Sequence, residues 1–146
     1  MSGAILIMNG PGLPRLTAVT QIEEACRELC TELGLGLDFR QAHDHETMNR
    51  WVQEDSKDFA AIIINPAGCP ASSLDPVGAH GKPVIEVHLE NIFKFDGEGH
   101  PYIEGPANEV GFICGLGQRG YTLAIRSLAR RLEGRTASQD TAPERL

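Results

Sequence analysis

The chain alternates short apolar runs with longer amphipathic stretches. Gly3 to Met8 is apolar throughout and stops at Asn9-Gly10-Pro11-Gly12, which predicts a strand buried on both faces. From Thr17 to Leu33, Val19, Ile22, Ala25, Cys26, Leu29 and Leu33 recur at threes and fours, the period of one helix face. Gly34 and Gly36 end that helix. Leu37 to Ala42 predicts a second strand. His43-Asp44 opens a second helix, with Asp44 as its cap and Met48, Trp51 and Val52 inward. Phe59 to Ile64 predicts a third strand, ended by Asn65-Pro66-Ala67-Gly68. Ser72 to Ala79 is weakly helical, with Pro76 as an interruption. Val84 to Leu89 predicts a fourth strand, and a loop containing Gly and Pro follows from Phe93 to Pro106. Glu109 to Cys114 predicts a fifth strand and Gly120 to Leu132 a last helix.

Strands alternating with helices imply βαβ units and a parallel sheet. Five strands in this length predict a flavodoxin-like α/β fold, strand order 2-1-3-4-5, with helices on both faces. Residues 1–134 are expected to form one domain, and 135–146, polar and without periodicity, a disordered tail.

The fourth strand carries two ionisable residues, Glu86 and His88, inside an apolar run. Side chains two apart in a strand share a face. A carboxylate beside an imidazole fixes the ring and favours its protonated form, the arrangement of a histidine general acid. The plain alternative is a half-exposed strand whose Glu and His face water. In open α/β sheets, ligands bind beyond the carboxyl ends of the strands, near the switch in strand order. Asn9, Asn65, Glu86 and His88 all lie at such ends, so the four are expected to converge on one site.

Charge narrows the partners. With 20 acidic and 13 basic residues the chain carries a formal −7, which disfavours nucleic acid and anionic membranes. Arg126, Arg130, Arg131 and Arg135 read as a solvated face of the last helix. No apolar run approaches membrane length and the first residues lack the layout of a signal peptide, so a cytoplasmic protein is expected. The four cysteines show neither zinc spacing nor a disulfide framework and read as reduced thiols, three of them buried. No metal or cofactor is expected. Gly115-Leu116-Gly117-Gln118-Arg119-Gly120 matches a dinucleotide-binding fingerprint, but no later strand supplies the acidic residue for the ribose. Glycines that let a helix pack closely on the sheet are the better account.

Four stretches, Ile7 to Pro11, Ile64-Asn65-Pro66, Val84 to Ile92 and Gly115 to Tyr121, occur in the order found in the type II 3-dehydroquinate dehydratases of the shikimate and quinate pathways. From about Ala4 to Leu132 the chain resembles that family. The resemblance implies a lyase acting on a small molecule, a flavodoxin-like fold, and trimers that build a dodecamer. In the family, a tyrosine activated by an arginine removes a proton beside the substrate ketone. A water held by an asparagine stabilises the enolate, and a histidine assists loss of the hydroxyl. The resemblance thus assigns Asn9 to the water, His88 to the acid with Glu86 as its partner, and Asn65 to substrate contact. Leu89, Glu90, Arg15 and Phe95 fall at positions expected around the substrate.

The chain also departs from the family. Twelve residues separate Asn9 from Ile22, too few for the family's lid, and none is a tyrosine. Arg15 is the only arginine among them. Ala71 stands where the family usually has a histidine, Glu90 where it has a serine, and Phe95 and Gly99 where it has arginines; Lys94 is the nearest cation. The sequence therefore reads as a divergent paralogue. It would catalyse a dehydration, cyclisation or related proton transfer on a small oxygenated compound. A weak or subunit-complemented dehydroquinase and a non-catalytic binding or assembly protein are the alternatives. The Phe93–Pro106 loop, with Phe95 and Tyr102, is expected to cover a site less cationic than the family's. Glu86→Gln is expected to cost less than loss of His88, because an amide still holds the ring.

Overall fold

Apolar alternation on both sides of the central strands sets the architecture. The computed structural model describes residues 3–13, 17–94, 102–106 and 109–138. Strands β1 (Ala4–Asn9), β2 (Gly36–Gln41), β3 (Ala61–Asn65), β4 (Val84–His88) and β5 (Val110–Cys114) are all parallel, in the order β2-β1-β3-β4-β5. Ile5, Ile7, Ile63, Ile85 and Val87 point to one face, where they meet Ile22 and Cys26 of helix α1 (Thr17–Leu33) and Tyr121 and Ile125 of helix α4 (Arg119–Ser138). Leu6, Met8, Ile62, Ile64 and Val84 point to the other, against Met48 and Val52 of helix α2 (His45–Glu54) and Val77 of the short helix α3 (Asp75–Gly78). A strand buried on both faces needs apolar residues at every position, and that is the composition of β1 and β3 up to their last residues.

The expected order of elements is present, with local differences. Pro76 does not interrupt a helix; it lies in the first turn of α3, where its missing N–H has no intrahelical partner to lose. Asp44 caps α2, accepting a hydrogen bond from the Thr47 N–H at 2.8 Å. Trp51 is only half-buried, with the Arg40 guanidinium 5.1 Å from its ring centre. Helix α4 continues to Ser138, six residues past its expected end at Leu132, so the first part of the expected tail is helical; residues 139–146 lie outside the described residues. No described helix is long and apolar enough to cross a membrane.

At the switch point between β1 and β3, the two outgoing turns lock together through their backbones. The Gly10 N–H donates to Asn65 O at 2.8 Å and the Gly12 N–H to Ala67 O at 2.7 Å. The Gln41 side chain donates to Leu13 O at 2.9 Å and holds the first turn from the other side. A Cβ at Gly10 would stand 2.3 Å from Ala67 O, and Gly68, at φ +85°, would meet the Gly12 nitrogen at 2.6 Å. Two chains approach this closely only without side chains. The described turns thus lie against each other where a ligand crevice was expected. Gly10→Ala should lower stability by about 1–3 kcal/mol, because rigid backbone must move to admit the methyl group. Urea unfolding checks this, and an unchanged midpoint would show that the two turns do not interlock.

Candidate active site

The alternation of β4 determines what each of its side chains meets. Ile85 and Val87 enter the α1–α4 face, so Val84, Glu86 and His88 point the other way. Glu86 has no exposed surface. A carboxylate there is tolerated only if both oxygens are partnered. Its Oε1 accepts the Ile103 N–H at 2.6 Å, and its Oε2 lies 2.5 Å from Nε2 of His88. Ile103 is itself buried in the same core. The next amide, Glu104 N–H, donates to Oδ1 of Asp75 at 3.1 Å. The end of the Phe93–Pro106 loop is thereby fastened over β4 and α3.

His88 keeps 14% of its side chain exposed. A carboxylate only accepts, so Nε2 donates to it, which in the neutral tautomer leaves Nδ1 as the ring's acceptor. Nδ1 has no hydrogen-bond partner among the described residues. The ring lies 5.4 Å from that of Phe112, which in turn contacts Phe93 at 5.5 Å and, edge-on, Tyr102 at 6.4 Å. Phe93, Tyr102 and Phe112 line a cleft of about 820 Å³, and Phe112 is its link to the His88 ring. A proton acceptor held by a buried anion, beside an apolar cavity, can move a proton to or from a bound molecule.

Asn9 and Asn65 are register partners on β1 and β3, and their side chains make hydrogen bonds to residues other than Glu86 and His88. Glu86 pairs with Ile64, so Asn65, one residue further on, projects from the opposite side of the sheet. There the Tyr121 hydroxyl donates to Asn9 Oδ1 at 2.7 Å and accepts from Asn65 Nδ2 at 2.9 Å. Asn9 Nδ2 donates to Arg40 O at 3.0 Å, and Asn65 Oδ1 accepts the Ala67 N–H at 3.1 Å. All three side chains are buried. The four polar residues all lie at or next to the ends of their strands, with the Asn9–Asn65 pair and the Glu86–His88 pair on opposite strand faces. Burial pushes the Tyr121 hydroxyl well above its ordinary pKa, so it stays protonated and works as a hydrogen-bonding post.

Tyr121 lies within one of the family motifs, and the sequence alone gives it no site role. The available signal was its place on the inward stripe of α4 with Ile125 and Leu128, since a buried tyrosine hydroxyl needs a partner. Leu89 packs its side chain toward the α1–α4 core, and its carbonyl accepts the Gly117 N–H at 2.9 Å. Glu90 is exposed. Arg15 and Phe95 lie outside the described residues. A Cβ at Gly120 would come within 3.1 Å of Val87, so that glycine lets α4 sit close on the sheet. Cys26 and Cys30 are buried, the Cys26 thiol pushed up to about 12 chiefly by burial. Cys114, expected inside the core, is half-buried, with its Sγ 3.6 Å from Asn91 Oδ1. Among the described residues, no three His, Cys, Asp or Glu side chains group as metal ligands.

A family model described as Dehydroquinase class II matches residues 3–129. The chain is 35% identical to a 3-dehydroquinate dehydratase of Mesorhizobium japonicum over 142 residues, covering 88% of this chain and 98% of the relative. It is 31% identical to the 3-dehydroquinate dehydratase 2 of Pseudomonas aeruginosa, over 91% of this chain and 98% of the relative. Among solved structures, type II dehydroquinase from Propionibacterium acnes superposes with a TM-score of 0.73 at 33% identity, covering 88% of this chain and 99% of that one. A 3-dehydroquinate dehydratase-like protein from Bifidobacterium longum gives a TM-score of 0.67 at 28% identity, over 90% and 98% of the two chains.

Tyr121→Phe tests the buried network. It leaves Asn9 Oδ1 and Asn65 Nδ2 each without the hydroxyl, so a loss of about 1–3 kcal/mol in stability is expected by urea unfolding. A variant as stable as the parent would show that the hydroxyl is dispensable.

Proposed function

The chain belongs to the class II dehydroquinase family, and on that premise we propose that it is a divergent lyase in which His88 moves the proton. The substrate is a small oxygenated compound, and 3-dehydroquinate is at best a poor one. The observation that carries this reading is the Glu86–His88 pair: one ring nitrogen is held by a buried carboxylate and the other is left for chemistry. In a dehydration, neutral His88 takes the proton from the carbon beside a carbonyl at Nδ1. The resulting imidazolium, stabilised by Glu86, returns that proton to the departing hydroxyl, which leaves as water. The ring ends as it began and the atoms balance.

What supports divergence is the lack of any tyrosine between Asn9 and Ile22. Tyr121 cannot substitute as a base, being buried and protonated. Tyr102 stands in the cleft wall, its ring edge-on to Phe112. Asn9 and Asn65, satisfied by Tyr121, act on this reading by holding the strand ends in place. A weak or subunit-complemented 3-dehydroquinate dehydratase is the second reading, favoured by the relatives' common name. Family membership also supports a homo-oligomer built of trimers as the working form.

Kinetics on three molecules decide the matter. Formation of the enone from 3-dehydroquinate, followed in the ultraviolet, should lie more than about tenfold below that of a lid-bearing family enzyme. Turnover within that range supports the second reading. With a substrate in hand, His88→Ala should lower turnover by about 10²- to 10⁴-fold while the thermal midpoint holds. Glu86→Gln should cost about as much, against the expectation from sequence. The Ile103 N–H keeps the amide oxygen on its own side, so the amide NH₂ faces Nε2 and drives the ring proton onto Nδ1, removing the lone pair there. Nitrogen-15 NMR of His88 reads this exchange of tautomers directly. A Glu86→Gln variant that is fully active, or that keeps the parent tautomer, would refute the role given to Glu86.

A further inference from the structure

The strap formed by residues 103–105 is fastened to helix α3 at several points. The Ile103 side chain is buried in one core with Leu74, Val77 and Val84. One residue on, the Glu104 N–H donates to Oδ1 of Asp75 at 3.1 Å. The two backbones then meet with no side chain between them. A Cβ at Gly78 would stand 2.1 Å from Glu104 O, and one at Gly105 would stand 2.8 Å from Gly78 O. Asp75 opens α3 and Gly78 closes it, so this short helix is the seat of the strap. Ile103, held among these contacts, is the residue whose N–H reaches Oε1 of buried Glu86.

We propose that Asp75 is a positioning residue for His88: it seats the strap on α3, and through the Ile103 N–H the strap fixes the Glu86 carboxylate that orients the ring. The proposal rests on the reading of His88 as the proton-transfer group and adds to it a residue outside the Glu86–His88 pair. Glu86 is fully buried, so each of its oxygens needs a donor. Oε1 takes the Ile103 N–H at 2.6 Å, and Oε2 takes Nε2 of His88 at 2.5 Å. While the amide stays in place, one oxygen faces the strap and the other faces the ring. If the strap lifts, the carboxylate is free to turn and Nε2 loses its fixed acceptor. The two neutral tautomers of the ring then come closer in energy. Asp75 bonds the amide next to Ile103 from a half-buried place on α3, so it governs the strap without itself touching the pair's hydrogen bonds.

NMR on the full chain at neutral pH tests this with two readouts, hydrogen exchange at the Ile103 amide and the nitrogen-15 shifts of His88. In the parent protein that amide should exchange at least about 10²-fold more slowly than in an unstructured chain. Asp75→Ala should speed the exchange by about tenfold, the effect of one lost hydrogen bond, and should move the His88 shifts from the Nε2–H form toward a mixture of tautomers. Asp75→Asn, whose amide oxygen can accept the same Glu104 N–H, should restore both readouts. A purely structural Asp75 would lower the thermal midpoint and leave the His88 shifts unchanged, which overturns the proposal. An unprotected Ile103 amide in the parent, or an Asp75→Asn variant that behaves like Asp75→Ala, overturns it as well. Asp75→Ser, with a side chain too short to hold the strap, gives the same comparison if Asp75→Ala does not fold. None of these readouts needs a substrate. An active His88→Ala variant overturns the proton-transfer reading, whereas the exchange rates and shifts report on the strap alone.

Discussion

Glu86 places a carboxylate where the sheet offers no water. A buried charge of this kind persists only while its partners stay in place, and removing one partner typically costs about 3–5 kcal/mol. Two constraints follow. The Phe93–Pro106 loop must return so that the Ile103 N–H reaches Oε1, and the His88 ring must turn Nε2 inward toward Oε2. The end of the loop and the orientation of the His88 ring therefore depend on one side chain. Phe112 and Tyr102 then line the space that the fastened loop leaves open.

The opposite face of the sheet is organised around Tyr121. Its hydroxyl joins the amides that end β1 and β3, while the turns beyond those strands close on each other through Gly10, Gly12 and Gly68. This makes the topological switch point rigid and, over the described residues, packed. In an open α/β sheet that point is the usual ligand crevice. His88, to which the proposed function gives the proton transfer, lies one strand away on β4 and keeps 14% of its side chain exposed.

The class II dehydroquinase family supplies the scaffold. The sequence carries no tyrosine between Asn9 and Ile22, and Asp75 and Glu104 line the cleft that Phe112 shares with the His88 ring. A scaffold determines where a site can be, while the loops determine what it can do.

Much of the fold was legible in the residues. The apolar runs of β1, β3 and β4, the spacing of α1 and the cap at Asp44 are local signals, because hydrophobic period and capping act within a few residues. The Glu86–His88 pairing was legible for the same reason, since positions two apart on a strand must share a face. Ordered motifs carried the family. Other features depended on contacts far apart in the chain. Tyr121 is 112 residues from Asn9, and Ile103 is 17 from Glu86. Nothing local tells Tyr121 which amides will face it, or Oε1 of Glu86 which backbone N–H will return to it. Pairing Glu86 with Ile64 rather than Asn65 is a matter of one residue in register, yet it puts the two asparagines on the far side of the sheet. The sequence by itself determined which residues end the strands; only the assembled sheet decided which of them face each other, because register is settled by packing on both faces at once.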